Sequence, residues 1–297
     1  MYASHFGLRE APFGITPDTS YFFSSPRSQE ALNTLLVAAR NGEGFIKITG
    51  EVGTGKTLLC RKFMAMLDEH FVTAYIPNPY LEPRTLMLAL ADELELPLAK
   101  DVDQHQLLKA ITQRLVDLAR QDKRVVLCLD EAQAIPVESL EALRLLTNLE
   151  TEKRKLLQIV LFGQPELNEN LELNSIRQLA QRITFSYHLG PLSKDELDYY
   201  VAHRLRVAGF TGARLFSRSA IARLYAATRG VPRLVNILSH KAMMVAYGQG
   251  KQEIAGAHVV AAARDTLGPQ PKAWWPWAAG AGAGALVAAG LMWVVLK

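Results

Sequence analysis

Eight residues of this chain have types and spacing suited to one kind of chemistry: Gly50-Glu51-Val52-Gly53-Thr54-Gly55-Lys56-Thr57. The pattern G-x-x-x-x-G-K-[ST] makes a loop whose glycines let backbone N–H groups turn inward onto phosphate oxygens. Lys56 has the reach to meet the β- and γ-phosphates of a nucleotide, and the Thr57 hydroxyl can ligate Mg²⁺. Leu58 follows in the first turn of an expected helix, whose positive dipole end adds to anion binding. A second group is Asp130-Glu131, directly after Arg124-Val125-Val126-Leu127-Cys128-Leu129. An Asp at the end of an apolar strand can hold Mg²⁺, directly or through water. The carboxylate of Glu131 beside it can polarise an attacking water. Gln164, in Gly163-Gln164-Pro165, can position water or touch a γ-phosphate; the plainer reading is a turn residue ahead of Pro165. Arg177 and Arg182 precede the last expected strand, where an arginine can reach the nucleotide of a neighbouring subunit. Arg182 is the favoured one, against the plainer reading of a solvated helix-end arginine. Arg233, in Gly230-Val231-Pro232-Arg233, opens a helix whose start the proline fixes, so it can project toward a γ-phosphate.

These residues need elements to position them, and the sequence supplies them. Phe45-Ile46-Lys47-Ile48-Thr49 reads as a buried strand before the glycine loop, and residues 58–70 are apolar at helical spacing after it. Further strands are expected at 71–76, 124–129, 156–162 and 183–187, with helices at 26–40, 83–95, 103–120, 137–150 and 175–182. Strands alternating with helices predict a parallel sheet covered on both faces. Asp130 would then emerge at the carboxyl edge of the sheet, where open α/β folds bind ligands, and Gln164 beside it on the neighbouring strand. Gly190-Pro191 ends the alternation. Ser193-Lys194-Asp195-Glu196 reads as a capping box, and helices at 193–208, 217–228, 232–247 and 257–265 predict a small all-helical unit. Residues 1–25 form an irregular aromatic arm, with Phe6, Phe13, Tyr21, Phe22 and Phe23, that either packs on the core or covers a nucleotide base.

The 297 residues suffice for about two domains. A net charge of +4, from 33 Lys and Arg against 29 Asp and Glu, is too small a bias to imply nucleic acid, although residues 204–229 hold six arginines. Cys60 and Cys128 read as small core residues rather than a disulfide framework, and no basic-then-apolar secretory start is visible. From Ala273 to Leu296 there is no charged residue, with tryptophans toward both ends. That length and pattern predict a transmembrane helix, with 266–272 as its linker. Gly280 and Gly284 offer a close-approach face for a second such helix. The cations before the span place the bulk of the chain on the cytoplasmic side of the inner membrane.

With the phosphate loop, Asp130-Glu131-Ala132-Gln133, Gly163-Gln164-Pro165-Glu166-Leu167 and 230–233 in place, the chain resembles the AAA+ ATPases. Within them it resembles the general secretion pathway protein A family, through Phe6-Gly7-Leu8, Pro12-Phe13, Pro17-Asp18 and the run from Glu43-Gly44-Phe45 to Thr57. It is most similar to the branch that serves biogenesis of MSHA-type pili. The resemblance spans residues 1–265. It implies an α/β P-loop fold with a five-stranded parallel sheet (26–190) and a helical lid (191–265), with the membrane helix beyond. It also implies ATP and Mg²⁺ as ligands and hydrolysis in the cytoplasm. The expected partners are further copies in a dimer or ring, and an inner-membrane secretion or pilus-assembly protein. Larger members carry a peptidoglycan-binding region after the span; here anchoring is expected mainly to hold the ATPase beside its membrane partner. Two rivals remain: an ATP-dependent DNA-binding helper of the transposition-regulator type, which a membrane span argues against, and a nucleotide-gated scaffold with negligible turnover.

Overall fold

The computed structural model describes residues 2–99, 102–150, 155–173 and 176–268. Five strands, β1 (Phe45–Thr49), β2 (Phe71–Ile76), β3 (Arg124–Leu129), β4 (Leu157–Gly163) and β5 (Ile183–His188), form one sheet in the order β2-β3-β4-β1-β5. Every neighbouring pair is parallel. Alternation along β3 explains why its whole run is apolar. Val125, Leu127 and Leu129 enter one core, and Val126 and Cys128 enter the other. The first core is closed by α4 (Pro83–Glu93), α5 (Gln104–Arg120) and α6 (Val137–Leu146), the second by α2 (Pro26–Asn41) and α3 (Lys56–Met66). Cys60 and Cys128 are both buried and free in that second core.

Helix ends follow their local signals. Ser25 caps α2 by accepting from the Ser28 amide, Pro26 takes the first position, and Gly42 closes the helix at φ +80°. Three expectations shift. The phosphate-loop helix begins at Lys56 and stops at Met66 instead of running 58–70, because the glycine loop itself provides its N-cap at Gly55. α6 stops at Leu146, short of 150, where the Thr147 hydroxyl turns back to the Arg144 carbonyl. Where sequence suggested only a turn at Pro165, a seven-residue helix, α7 (Glu166–Glu172), begins, with Glu166 and Glu169 complementing its dipole. α8 (Arg177–Ala180) is a single turn.

After β5, α9 (Lys194–Val207), α10 (Arg218–Thr228), α11 (Pro232–Gly248) and α12 (Gly256–Leu267) enclose a separate core. The capping box at Ser193 and Glu196 is formed in both directions. The N-terminal arm, with its short helix α1 (Tyr2–His5), belongs to this helical unit: Phe6, Leu8, Phe13 and Tyr21 are buried among its helices. The expected membrane helix at 273–296 lies outside the described residues, and the expected linker starts within α12. Among the described residues no helix is long and apolar enough to cross a membrane.

Candidate nucleotide site

The glycine loop sits at the carboxyl edge of β1. The Gly50 amide donates to the Gly163 carbonyl at 3.1 Å, tying the loop to the end of β4. Gly53 and Gly55 hold φ of +80° and +101°, which the turn demands. A Cβ on Gly50 would stand 2.6 Å from the Leu189 carbonyl oxygen, so the loop wraps more closely than a side chain would permit. Lys56 is buried, and its ammonium donates to the Gly50 and Glu51 carbonyls at 2.7 and 3.1 Å. Burial pushes its pKa below the ordinary lysine value, against the raising pull of Glu131 and Asp130.

Thr57 and Asp130 meet here from elements 73 residues apart: the Thr57 hydroxyl donates to Asp130 Oδ2 at 2.6 Å. Burial raises the Asp130 pKa above the usual carboxylate value, although this hydrogen bond and the one from the Glu131 amide (3.0 Å) pull it down. A hydroxyl and a carboxylate oxygen at this separation form an all-oxygen donor set, which fits Mg²⁺ rather than a soft metal. Glu131 takes the left-handed region at φ +51°, uncommon for a side chain of this kind. Its Oε2 accepts from Gln133 Nε2 at 2.7 Å and from Gln164 Nε2 at 3.2 Å, while the Gln164 amide donates to Gln133 Oε1 at 2.9 Å.

The helical unit closes the other side. The Arg233 amide donates to the Gly53 carbonyl at 3.1 Å, and a Cβ on Gly53 would lie 2.6 Å from Arg233 Cβ. A cavity of about 190 Å³ is lined by Val52, Gly53, Gly55, Lys56, Thr57, Leu58, Glu131 and Arg233, with the arm segment 14–18 along one wall. Next to it, an apolar recess has Thr54, Leu58, Phe22, Phe23, Pro191 and Pro232 among its walls.

The structure therefore brings together the loop residues, Asp130, Glu131, Gln164 and Arg233. It does not bring the two arginines of α8 and the following turn into this cavity. Arg182 Nη1 donates to Thr147 Oγ1 at 3.3 Å and to Asn148 Oδ1, at the C-terminal end of α6, whereas Arg177 is exposed. Sequence reasoning gave no role to Gln133, Tyr75 or Arg204. Gln133 appeared only inside the Asp130-Glu131-Ala132-Gln133 motif. Tyr75 is an unremarked strand residue whose hydroxyl approaches Asp130 Oδ2 at 3.4 Å. Arg204, one of the six arginines at 204–229, is only 5% exposed. No local pattern marks any of the three, since each is recruited by a tertiary contact.

Residues 39–171 match the family model described as AAA domain. Over 275 residues, 93% of the chain, the sequence is 42% identical to general secretion pathway protein A of Aeromonas hydrophila. The chain thus carries an AAA domain at 39–171 and is similar to general secretion pathway protein A over most of its own length. The chain spans about half of that relative's length, 50%. Among solved structures, Cdc6p from Pyrobaculum aerophilum superposes with a TM-score of 0.66 at 19% identity, over 84% of this chain and 70% of its own. The ORC2 protein of Aeropyrum pernix, solved as ADPNP and ADP complexes, gives 0.62 at 16%, over 86% and 73%. The RuvB Holliday junction branch migration motor of Thermotoga maritima gives 0.58 at 16%, over 88% and 76%. At such identities the likeness establishes the AAA+ α/β fold with its parallel five-stranded sheet.

Proposed function

We propose that this AAA+ protein is a Mg²⁺-dependent ATPase, anchored in the inner membrane with its ATPase unit in the cytoplasm, that drives assembly of a secretion or type IV pilus complex of the envelope. The observation that carries the catalytic part is the convergence of Lys56, Thr57, Glu131 and Arg233 on one cavity, with Asp130 hydrogen-bonded to Thr57 at its edge. Thr57 and Asp130 would hold the metal, and Lys56 and Arg233 would face the anionic tail. Residues 50–55 and Leu58 would enclose the phosphates, and the apolar recess behind Phe23 and Pro191 would take the base. Bound MgATP supplies the scissile phosphoanhydride. Glu131 accepts a proton from the attacking water, and Gln164 and Gln133 hold its carboxylate in place until then. An arginine of 177–182 would serve the site of a neighbouring copy in a dimer or ring. Its present bonds to α6 hold Arg182 back, so exposed Arg177 is the better placed of the two.

The membrane and envelope part rests on the relationship to general secretion pathway protein A and on the uncharged stretch at 273–296. A DNA-binding role gains nothing from the lid. Of the six arginines at 204–229, Arg204 is buried and Arg214 pairs with Asp198 at 2.8 Å.

The test is phosphate release by the full chain in lipid. Glu131→Gln should keep ATP affinity and lose about 100-fold or more in turnover, the usual scale for a general base. Wild-type turnover in that variant removes Glu131 from the mechanism. No affinity for ATP in the wild type with Mg²⁺ defeats the ATPase reading. For the cellular role, membrane fractionation and co-purification should recover an inner-membrane secretion or pilus-assembly component.

A further inference from the structure

Arg204 is the one buried guanidinium at the edge of the cavity, and among the described residues it donates to no carboxylate. All three of its nitrogens donate to neutral acceptors. Nε donates to the Pro12 carbonyl at 2.6 Å, Nη1 to the Tyr200 hydroxyl at 3.1 Å and Nη2 to the Gly14 carbonyl at 3.2 Å. Its guanidinium lies 4.5 Å from the centre of the Tyr21 ring. The Gly14 carbonyl receives a second bond from Asn236 Nδ2 at 3.3 Å, and Asn236 Oδ1 accepts from the Tyr200 hydroxyl at 2.9 Å. Two lid residues, Arg204 and Asn236, thus grip the arm backbone at Gly14, and the Tyr200 hydroxyl ties them to each other. Three residues further on, the Pro17 carbonyl accepts from Arg61 Nη1 on α3 at 3.0 Å. Between those pins the arm crosses from the lid to the phosphate-loop helix with Ile15 60% exposed, and it forms a wall of the cavity that also holds Lys56, Thr57 and Arg204 itself.

We propose that Arg204 is a nucleotide-positioning residue: with Tyr200 and Asn236 it latches residues 14–18 as a strap across the phosphate cavity and slows release of the bound nucleotide. This rests on the nucleotide reading of the site given above. The physical argument is one of charge. Arg204 makes no hydrogen-bonded ion pair of its own, and three cations, Lys56, Arg204 and Arg233, line a cavity that offers the carboxylates of Asp18 and Glu131 against them. A polyphosphate brings further negative charge to those cations. Its arrival strengthens the hold of Arg204 on the cavity wall, and by reciprocity a closed strap retains the nucleotide. The strap is attached to both the lid and α3, so any lid movement that parts Arg204 from Gly14 opens the route out.

The experiment is stopped-flow release of mant-ADP with Mg²⁺ from the full-length chain. Tyr200→Phe keeps the ring and its packing and removes the hydroxyl that links Arg204 to Asn236. Arg204→Lys keeps the charge and removes the fork. Each should speed mant-ADP release, about tenfold for the loss of one or two such bonds, with the change falling on KM for ATP rather than on kcat. Wild-type protein should also lose cleavage by added protease at 14–18 when ATP is bound, and the variants should lose that protection. Release rates within twofold of wild type in folded Tyr200→Phe overturn the latch, even if thermal stability has fallen. Should Arg204→Lys not fold, Tyr200→Phe decides alone. A wild-type chain that binds no mant-ADP overturns the nucleotide reading and the latch together, whereas normal binding with unchanged release overturns the latch only.

Discussion

Asp130 shows what a reactive residue costs the fold that carries it. Its carboxylate is only 3% exposed, and burial outweighs the hydrogen bonds from Thr57 and Glu131, so its folded pKa lies above that of the unfolded chain. The sign of the linkage follows. A carboxyl whose folded pKa is raised contributes its stability below the unfolded pKa and loses it as pH rises through the folded value. At neutral pH without Mg²⁺, ionised Asp130 therefore works against folding. Asp130→Asn should unfold at a higher temperature than wild type in EDTA at pH 8. That advantage should shrink as pH falls through the raised carboxyl range and vanish once wild-type Asp130 is protonated. A variant that melts lower than wild type at every pH would refute the sign. The same substitution should abolish Mg²⁺-dependent turnover, the trade expected where a site is built from a buried charge. Glu131 pays in backbone geometry instead, at φ +51°, a sparsely populated region held here by the Gln133 and Gln164 amides.

At the scale of elements, two connections do most to set the lid against the sheet. One is the chain leaving β5. The Leu192 amide donates to the Gly230 carbonyl at 2.9 Å, and Arg27 Nη1 of α2 donates to the Pro191 carbonyl at 3.1 Å. The other is the turn into α11, where Gly230 at φ +80° lies so close to the first that a Cβ would stand 1.9 Å from the Leu192 carbonyl oxygen. Gly230→Ala should therefore cost at least ~1–3 kcal/mol, from left-handed strain and from displacement of backbone rather than of a flexible side chain. It should also misplace Arg233, three residues on, which the Gly53 carbonyl holds by its amide. Urea unfolding with a nucleotide titration checks both: an unchanged midpoint would mean that the two turns part freely. Most elements here were legible in advance, because their signals are local. Ser25, the Ser193 box and Gly42 fix helix ends through hydrogen bonds within a few residues, and Pro26 through its locked φ. α7 was not legible, since a proline read as a turn residue can equally begin a helix, and the choice was made by the packing of Leu167 and Leu171 into the sheet core.

At the scale of the whole molecule, the first and last described segments share a core. The arm that starts the chain completes the core of the unit that ends the described residues: Phe13, 2% exposed, packs edge-on against Phe216 at 5.8 Å between ring centres. Phe13→Ala should destabilise the protein by roughly 3–5 kcal/mol, as large-to-small changes in a tight core do. It should also speed protease cleavage of the arm more than cleavage of the α/β unit. Equal sensitivity of both units would show that the arm is not seated in the lid. The two uses that the aromatic arm could serve fall on different stretches of it, with Phe22 and Phe23 on the apolar recess. The arm's phenylalanines at 6 and 13 serve the lid core, while the stretch from Gly14 onward borders the cavity.

What the sequence determined on its own was whatever depends on near neighbours: the glycine loop between strand and helix, the apolar run that delivers Asp130 to a sheet edge, and the alternation that makes the sheet parallel. Glycine spacing and strand periodicity act over a few bonds, so they can be read from the order of residues. Only the tertiary structure decided which distant groups share the cavity. Thr57 reaches Asp130 across 73 positions, and Arg204 reaches Pro12 across 192. It also decided that Arg182 turns to α6 and that one arginine among six is buried. Those outcomes follow from strand order and helix packing, where burial and hydrogen-bond satisfaction are worked out among residues that no short pattern connects.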